Sequence, residues 1–228
     1  MALKIVKPLV FTERTLTRGS VGRYFDTADG LNKSMPINLP RFDKFEGVLV
    51  EPSAVNLILQ SQNTSQANWV KAGANTSTTP LVTAPDGTAT ANTTTAAQNT
   101  GIGQTVTVLN ATVYSLAVML KAGSGTSYKI GQFGGTPNTI TFNTSTKVLS
   151  ASTNLISSKF KECPNGWFVI EISFTSTSTS ALIDIQPVDS GTNTYYVWGC
   201  QLELGAKATS YIVTTAATVT RSADVAST

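Results

Sequence analysis

The sequence predicts an all-β fold, an antiparallel β-sandwich preceded by an extended N-terminal arm, and three observations predict it. Only 13% of the 228 residues are charged, against roughly 25% in an average domain, while Thr, Ser, Asn and Gly abound, and these favour strands and turns over solvated helices. From residue 47 onward, short apolar runs alternate with turn signals at the spacing of sandwich strands. Before residue 47, neither a 3.6-residue nor a two-residue period persists.

Taken in order, residues 1–46 contain Gly19, Gly22, Gly30, Pro36 and Pro40 among scattered charges and read as an extended arm. Such a segment buries too little apolar surface to fold alone, so it must lie against the body or against other chains. Apolar runs at 48–51 and 55–60 open the sandwich, which is expected to extend to residue 214, and a run at 81–84 precedes the turn Pro85-Asp86-Gly87. Residues 88–100 are nearly all Thr, Ala and Asn, which reads as an edge or surface loop. Further strands are expected at 103–109, 112–121, 127–133, 139–142, 155–160, 167–175, 181–186 and 195–204, with 215–228 an extended tail.

Two-residue alternation assigns faces. Phe168, Ile170, Ile172 and Phe174 form a core face, with Trp167, Val169, Glu171 and Ser173 opposite. In the last strand Tyr196, Trp198, Cys200, Leu202 and Leu204 form the apolar side, leaving Tyr195, Val197, Gly199, Gln201 and Glu203 on the other. Residues 112–121 are apolar on both faces and belong mid-sheet.

Composition also excludes function classes. The chain has no histidine, which removes the usual general base and the commonest zinc ligand. Neither a CxxC pair nor a GxxxxGK[ST] or GxGxxG phosphate loop occurs, so no cofactor and no metal is expected. Asp86, Asp184 and Asp189 read as turn and strand-end residues rather than calcium ligands. Cys163 and Cys200 read as free thiols. Net charge is +3, too little to hold nucleic acid through phosphate contacts. It sits wholly in residues 1–47, where eight Lys and Arg face five Asp and Glu. No apolar stretch is long enough to span a bilayer, and nothing reads as a cleavable leader, so synthesis in a cytosol is expected.

Four blocks carry a resemblance. They are Tyr24-Phe25-Asp26 through Pro40-Arg41-Phe42-Asp43 to Leu49-Val50-Glu51-Pro52, then Asn165-Gly166-Trp167-Phe168, then Tyr196-Val197-Trp198-Gly199-Cys200-Gln201-Leu202-Glu203-Leu204-Gly205, and last Thr209-Ser210-Tyr211-Ile212 with Thr220-Arg221-Ser222-Ala223-Asp224. Together with 56–61 and Trp69, the chain resembles bacteriophage fibre and head-appendage proteins with a lectin-like jelly-roll domain. That resemblance implies an antiparallel jelly-roll sandwich and a non-enzymatic virion protein: a head fibre, decoration protein or short tail appendage, made in the bacterial host cytoplasm. It also implies a homotrimer, contacts to other virion proteins through the N-terminal arm, and a host surface glycan as ligand.

Sugar recognition uses aromatic faces together with amide and carboxylate groups, which makes Trp167, Glu171, Tyr195, Gln201 and Glu203 the candidate glycan-binding residues. In the competing reading the two rings pack under a loop, and Gln201 and Glu203 bond its backbone. A glycoside hydrolase would need only a carboxylate pair, for which Glu171 and Glu203 are the candidates.

Overall fold

The computed structural model describes residues 15–134, 136–151 and 154–227. Short strands come first: β1 (Thr15–Thr17), β2 (Gly22–Phe25), β3 (Asn32–Met35), β4 (Arg41–Asp43), β5 (Gly47–Leu49) and β6 (Ala54–Asn56). The body follows as β7 (Val70–Thr83), β8 (Ala89–Thr107), β9 (Val113–Ala122), β10 (Ser127–Gln132), β11 (Asn138–Asn143), β12 (Val148–Ala151), β13 (Leu155–Cys163), β14 (Trp167–Thr175), β15 (Ser180–Pro187) and β16 (Thr192–Leu204). Two short strands, β17 (Val219–Arg221) and β18 (Val225–Ser227), close the described chain.

All the body strands pair antiparallel, in the order β12-β11-β10-β15-β8-β16-β9-β14-β13, with β7 beside β8. Strand β8 divides this sheet into two layers. Its first half, Asn92 to Ala97, pairs with β16, and its second half, Ile102 to Thr107, pairs with β15. Between the halves Asn99 takes a left-handed φ of 58°, and a Cβ at Gly101 would lie 2.1 Å from the Ile185 carbonyl oxygen. Only glycine fits that crossing. One layer is β8-β16-β9-β14-β13, the other β8-β15-β10-β11-β12, and their inner faces meet in a jelly-roll-type sandwich.

The inner core is built as alternation demands. Leu116, Val118 and Leu120 of β9 and Ile170, Ile172 and Phe174 of β14 face Ile130, Ile140, Phe142 and Ile183 from the other layer, all at most 2% exposed. Rings lock the layers together. Phe142 of β11 lies 5.1 Å from Phe168 of β14, and Tyr128 of β10 lies 5.4 Å from Tyr195 of β16, distances at which aromatic pairs attract. Strand β9 lies between β14 and β16, the mid-sheet position its two apolar faces require.

Within the body sheet two sequence expectations change, and outside it the runs at 48–51 and 55–60 do not open the sandwich, because β5 pairs with β4 and β6 with β17. Residues 88–100 are not an edge or surface loop but most of the first half of β8, with β7 on one flank and β16 on the other. Their small side chains suit a tightly covered strand: Ala91, Thr94 and Ala96 are at most 1% exposed. The faces of β16 also differ from strict alternation. Pairing with β9 slips between Trp198 and Gln201, where Gly199 has φ +66°, and this β-bulge inverts the alternation. Tyr195 and Val197 therefore face the inner core, as do Cys200 and Leu202 beyond the bulge, whereas Tyr196, Trp198, Gln201 and Glu203 face outward. Leu204, expected inside, is 64% exposed.

Residues 15–46 lie across this outer face, and residues 1–14 of the expected arm fall outside the described residues. Hairpins β2–β3 and β4–β5 bring Phe25 and Phe45 onto Met119, Trp167, Val169 and Trp198, forming a second apolar cluster with Tyr211. The C-terminal segment joins the same cap: β17 pairs with β6 and β18 with β1. Asp86 caps its turn by accepting the Thr88 N–H, and Asp189 accepts the N–H of Ser127. Cys163 and Cys200 are free thiols, and burial pushes both up to about 12.

Candidate functional site: the cleft under the N-terminal cap

Alternation places Lys159 and Lys161 on the outward side of β13, and cross-strand register sets Lys159 opposite Glu171 of β14. Beside them the bulge turns Gln201 and Glu203 of β16 to the same face. The cap roofs this polar strip incompletely. A cavity of about 160 Å³ is left, floored by Ala117, Met119, Glu171 and Gln201 and walled by Tyr24, Glu46 and Lys207. Asp43 shapes the wall, accepting the N–H groups of Phe25 (2.7 Å), Phe45 (2.8 Å) and Glu46 (3.1 Å). That turn aims Glu46 across the opening.

A lattice of alternating charge lines the cleft. Glu171 pairs with Lys159 at 3.1 Å and Lys161 at 3.0 Å, while Glu46 meets Lys161 at 3.0 Å, Lys207 at 3.1 Å and Lys159 at 3.5 Å. The hydrogen bond from Lys161 does most to hold Glu46 down, at about 2, against partial burial that acts the other way. Burial alone would lower Lys161, but the charges of Glu171 and Glu46 outweigh it, and Lys161 stays above its usual value. Both groups are therefore ionised across the neutral range.

The deeper polar groups are committed to the fold. The Gln201 amide donates to Glu203 (2.8 Å) and to the Thr209 carbonyl (3.1 Å) and accepts from the Ile212 N–H (2.6 Å). Glu203 accepts the Thr209 N–H at 2.7 Å and its hydroxyl at 2.6 Å. Burial raises Glu203 above the usual carboxylate range, with those two bonds opposing. These contacts pin residues 209–212 to the sheet.

Of the five residues singled out in the sequence, Glu171 and Gln201 line the cleft and Glu203 lies directly behind it. Trp167 is 1% exposed in the outer apolar cluster, its indole N–H donating to the Thr83 carbonyl at 2.9 Å. Tyr195 is fully buried in the inner core, its hydroxyl donating to the Ile185 carbonyl at 2.9 Å. Neither ring reaches the cleft. The half-buried ring that does is Tyr24, joined by Glu46, Lys161 and Lys207. Lysines at i and i+2 on a strand, opposite a glutamate on the next, were the readable signal for Lys161; nothing in the sequence links Tyr24, Glu46 or Lys207 to that strand.

Beside the cleft the sequence blocks meet in a buried ionic clasp. Asp224 takes Arg18 at 2.9 Å and also pairs with Arg41, while Glu51 takes Arg41 at 3.0 Å and Arg221 at 3.6 Å. All three arginines are at most 2% exposed. Glu51 and Asp224 exchange backbone contacts as well, the Glu51 N–H donating to the Asp224 carboxylate at 3.0 Å and the Asp224 N–H to the Glu51 carbonyl at 2.9 Å. Burial by itself would raise Asp224, but hydrogen bonds from Arg18 and the Glu51 N–H, with the charge of Arg41, hold it below the usual range. Arg41, Glu51, Arg221 and Asp224 all come from the blocks that carry the sequence resemblance. Their shared work is to fasten the arm, the 50–52 link and the C-terminal tail together.

No protein-family model matches this sequence, and no curated protein sequence is significantly similar to it. Among solved structures, similar ones include the CBM22-1–GH10 modules of the Clostridium thermocellum endo-1,4-beta-D-xylanase 10B complexed with xylohexaose. That match has 11% identity over 72% of this chain and 30% of that one, with a TM-score of 0.46. The CBM22-1 xylan-binding domain of Paenibacillus barcinonensis Xyn10C matches at 12% identity over 68% of this chain and 94% of that one, TM-score 0.40. A protein described as sugar-binding from Bacteroides thetaiotaomicron matches at 14% identity over 66% of this chain and 100% of that one, TM-score 0.40. The likeness carries no ligand or activity across to this chain.

Proposed function

We propose that this chain is a non-enzymatic glycan-binding module whose ligand enters the cleft under the N-terminal cap. The observation that carries the reading is the cleft itself: a concave, water-accessible space with an aromatic ring at its wall and ionised Lys and Glu groups that can exchange partners with sugar hydroxyls. Lys161 and Glu171 would offer donors and acceptors to hydroxyls, and Tyr24 a ring face to a pyranose. The residues proposed for catalysis are poorly disposed for it, since Glu203 is saturated by Thr209 and Gln201 behind the wall and Glu171 is held by two lysines. A glycan array probed with the intact chain tests this reading. Binding that Lys161→Ala and Tyr24→Ala weaken supports it, and no binding to any glycan sinks it.

The resemblance of the four sequence blocks supports a finer reading, in which the module is a structural protein of a bacteriophage particle. It would sit as a trimeric head fibre, decoration protein or short tail appendage, made in the host cytoplasm and aiding attachment to the host surface. Its join to other virion proteins would run through the N-terminal end. Mass spectrometry of purified particles tests this, and absence of the chain from them would overturn it.

A further inference from the structure

The polar strip that floors the cleft does not end at Glu171. Cross-strand register places Lys161 of β13 beside Val169 of β14 and Met119 of β9, then Lys159 beside Glu171 and Ala117, then Ser157 beside Ser173 and Ser115. These are three successive outward rows, two residues apart on each strand, and they span about 13 Å along the sheet. That is longer than a single pyranose ring.

The cleft lies over the first two rows. Over the third lies an adjoining cavity of about 280 Å³, whose lining includes Ser115, Ser157, Lys159 and Ala206. The two cavities share Glu171, Lys207 and Ala208, so they are compartments of one trough. Glu171 marks the junction: its Oε1 pairs at 3.0 Å with Lys161, which lines the cleft, and its Oε2 at 3.1 Å with Lys159, which lines the adjoining cavity.

Size argues for joint use. Neither compartment, at about 160 and 280 Å³, reaches the roughly 300 Å³ at which ordinary ligand sites begin, whereas together they pass it. Chemistry points the same way. The cleft offers the Tyr24 ring to a pyranose face, while the adjoining cavity is lined by no aromatic ring among the described residues and instead presents the exposed Ser157 hydroxyl and Lys159 ammonium. Those groups suit a further sugar held edge-on by hydrogen bonds.

We propose that the trough binds a linear oligosaccharide across both compartments, one sugar in the cleft and the next beyond Glu171 over the serine row, rather than a single terminal sugar. This rests on the glycan-binding reading and specifies its ligand as a chain. The test is an array of common hexoses, pentoses, uronic acids and N-acetylhexosamines, each presented to the intact chain as a linear series from monosaccharide to hexasaccharide, followed by calorimetry on the series that binds. Affinity is expected to rise about tenfold from monosaccharide to trisaccharide, the worth of one or two net hydrogen bonds, and then to level off. Ser157→Trp and Ala206→Trp fill the outer compartment from its two walls. Each is expected to abolish that rise while leaving monosaccharide affinity as it was, which also certifies that the variant is folded. In the unaltered chain, the amides of Ser115 and Ser157 should shift with trisaccharide and not with monosaccharide.

The two readings fail separately. Equal affinity for monosaccharide and trisaccharide, an undiminished rise in either tryptophan variant, or unmoved Ser157 amide signals would overturn the chain-binding inference and leave the cleft reading standing. Silence across the whole array removes the cleft reading and this one with it.

Discussion

The two faces of the β16 layer are covered in opposite ways. The inner face meets another sheet through apolar side chains such as Leu116, Ile170, Ile140 and Ile183. The outer face meets irregular chain from both ends of the sequence, through a small apolar cluster, the Lys and Glu lattice, and an ionic clasp of three arginines and two carboxylates. A sheet-on-sheet contact needs only area and shape, whereas irregular segments bring backbone polar groups that must each find a partner. The cap is therefore held by directional bonds, and it is where cavities remain.

Deleting residues 1–46 breaks this contrast most completely, because it bares Met119, Trp167, Val169 and Trp198 and strips the clasp of Arg18 and Arg41. Red-shifted tryptophan fluorescence and a collapse of the cooperative melt are expected; an unchanged melting profile would show the cap to be dispensable. Next in size is Asp224→Asn, which keeps the shape but removes the charge that pairs with Arg18 and Arg41. Breaking one side of a buried ion network costs about 3–5 kcal/mol, which should lower the Tm by about 10 °C in a chain of this length.

Gly199→Ala probes the bulge that separates the two faces. At φ +66° and with its new Cβ 2.9 Å from the Met119 sulfur, the substitution should cost about 1–3 kcal/mol, read from urea unfolding. Glu46→Gln is the mildest change. Two of its three lysine partners, Lys159 and Lys207, are exposed, so stability should move by only about 1 kcal/mol, while glycan affinity should change because Glu46 lines the cleft.

Acid separates the regions in a further way. Asp224 and Glu46 titrate below their ordinary values, so the stability they confer is present above those values and is lost as pH falls through the lowered range, which for Glu46 runs from 4.5 down to about 2. Glu203 and Asp184 titrate above their ordinary values, through burial, so their protonation favours the fold as pH falls from neutrality toward that point. Unfolding free energy should therefore rise modestly on mild acidification and then drop. A monotonic loss from pH 7 downward would contradict these assignments.

The same contrast explains what the sequence made legible. Inner strands such as β9 and β14 show their faces because each outward step meets one kind of surroundings, which period two records faithfully. Alternation misled at β16, since a single glycine bulge moved Tyr195 inside and Trp198 outside while Gln201 and Glu203 stayed outward. It was silent for residues 88–100, where tight interlayer packing selects Ala and Thr that look like loop composition. The candidate site was half legible: Glu171 and Gln201 belong to a strand pattern, but Tyr24, Glu46 and Lys207 join it through contacts between segments far apart in the chain. Arg41, Glu51 and Asp224 stood out as sequence blocks, though their buried pairing could not be read without the fold.

Amide chemical shifts of the intact chain, followed during titration with a glycan selected on the array, test the central claim most directly. Perturbation centred on Tyr24, Lys161, Glu171 and Gln201, with the glycan recovered intact afterwards, is the predicted result. Shifts confined to the exposed strand edges, or cleavage of the glycan during the titration, would contradict it.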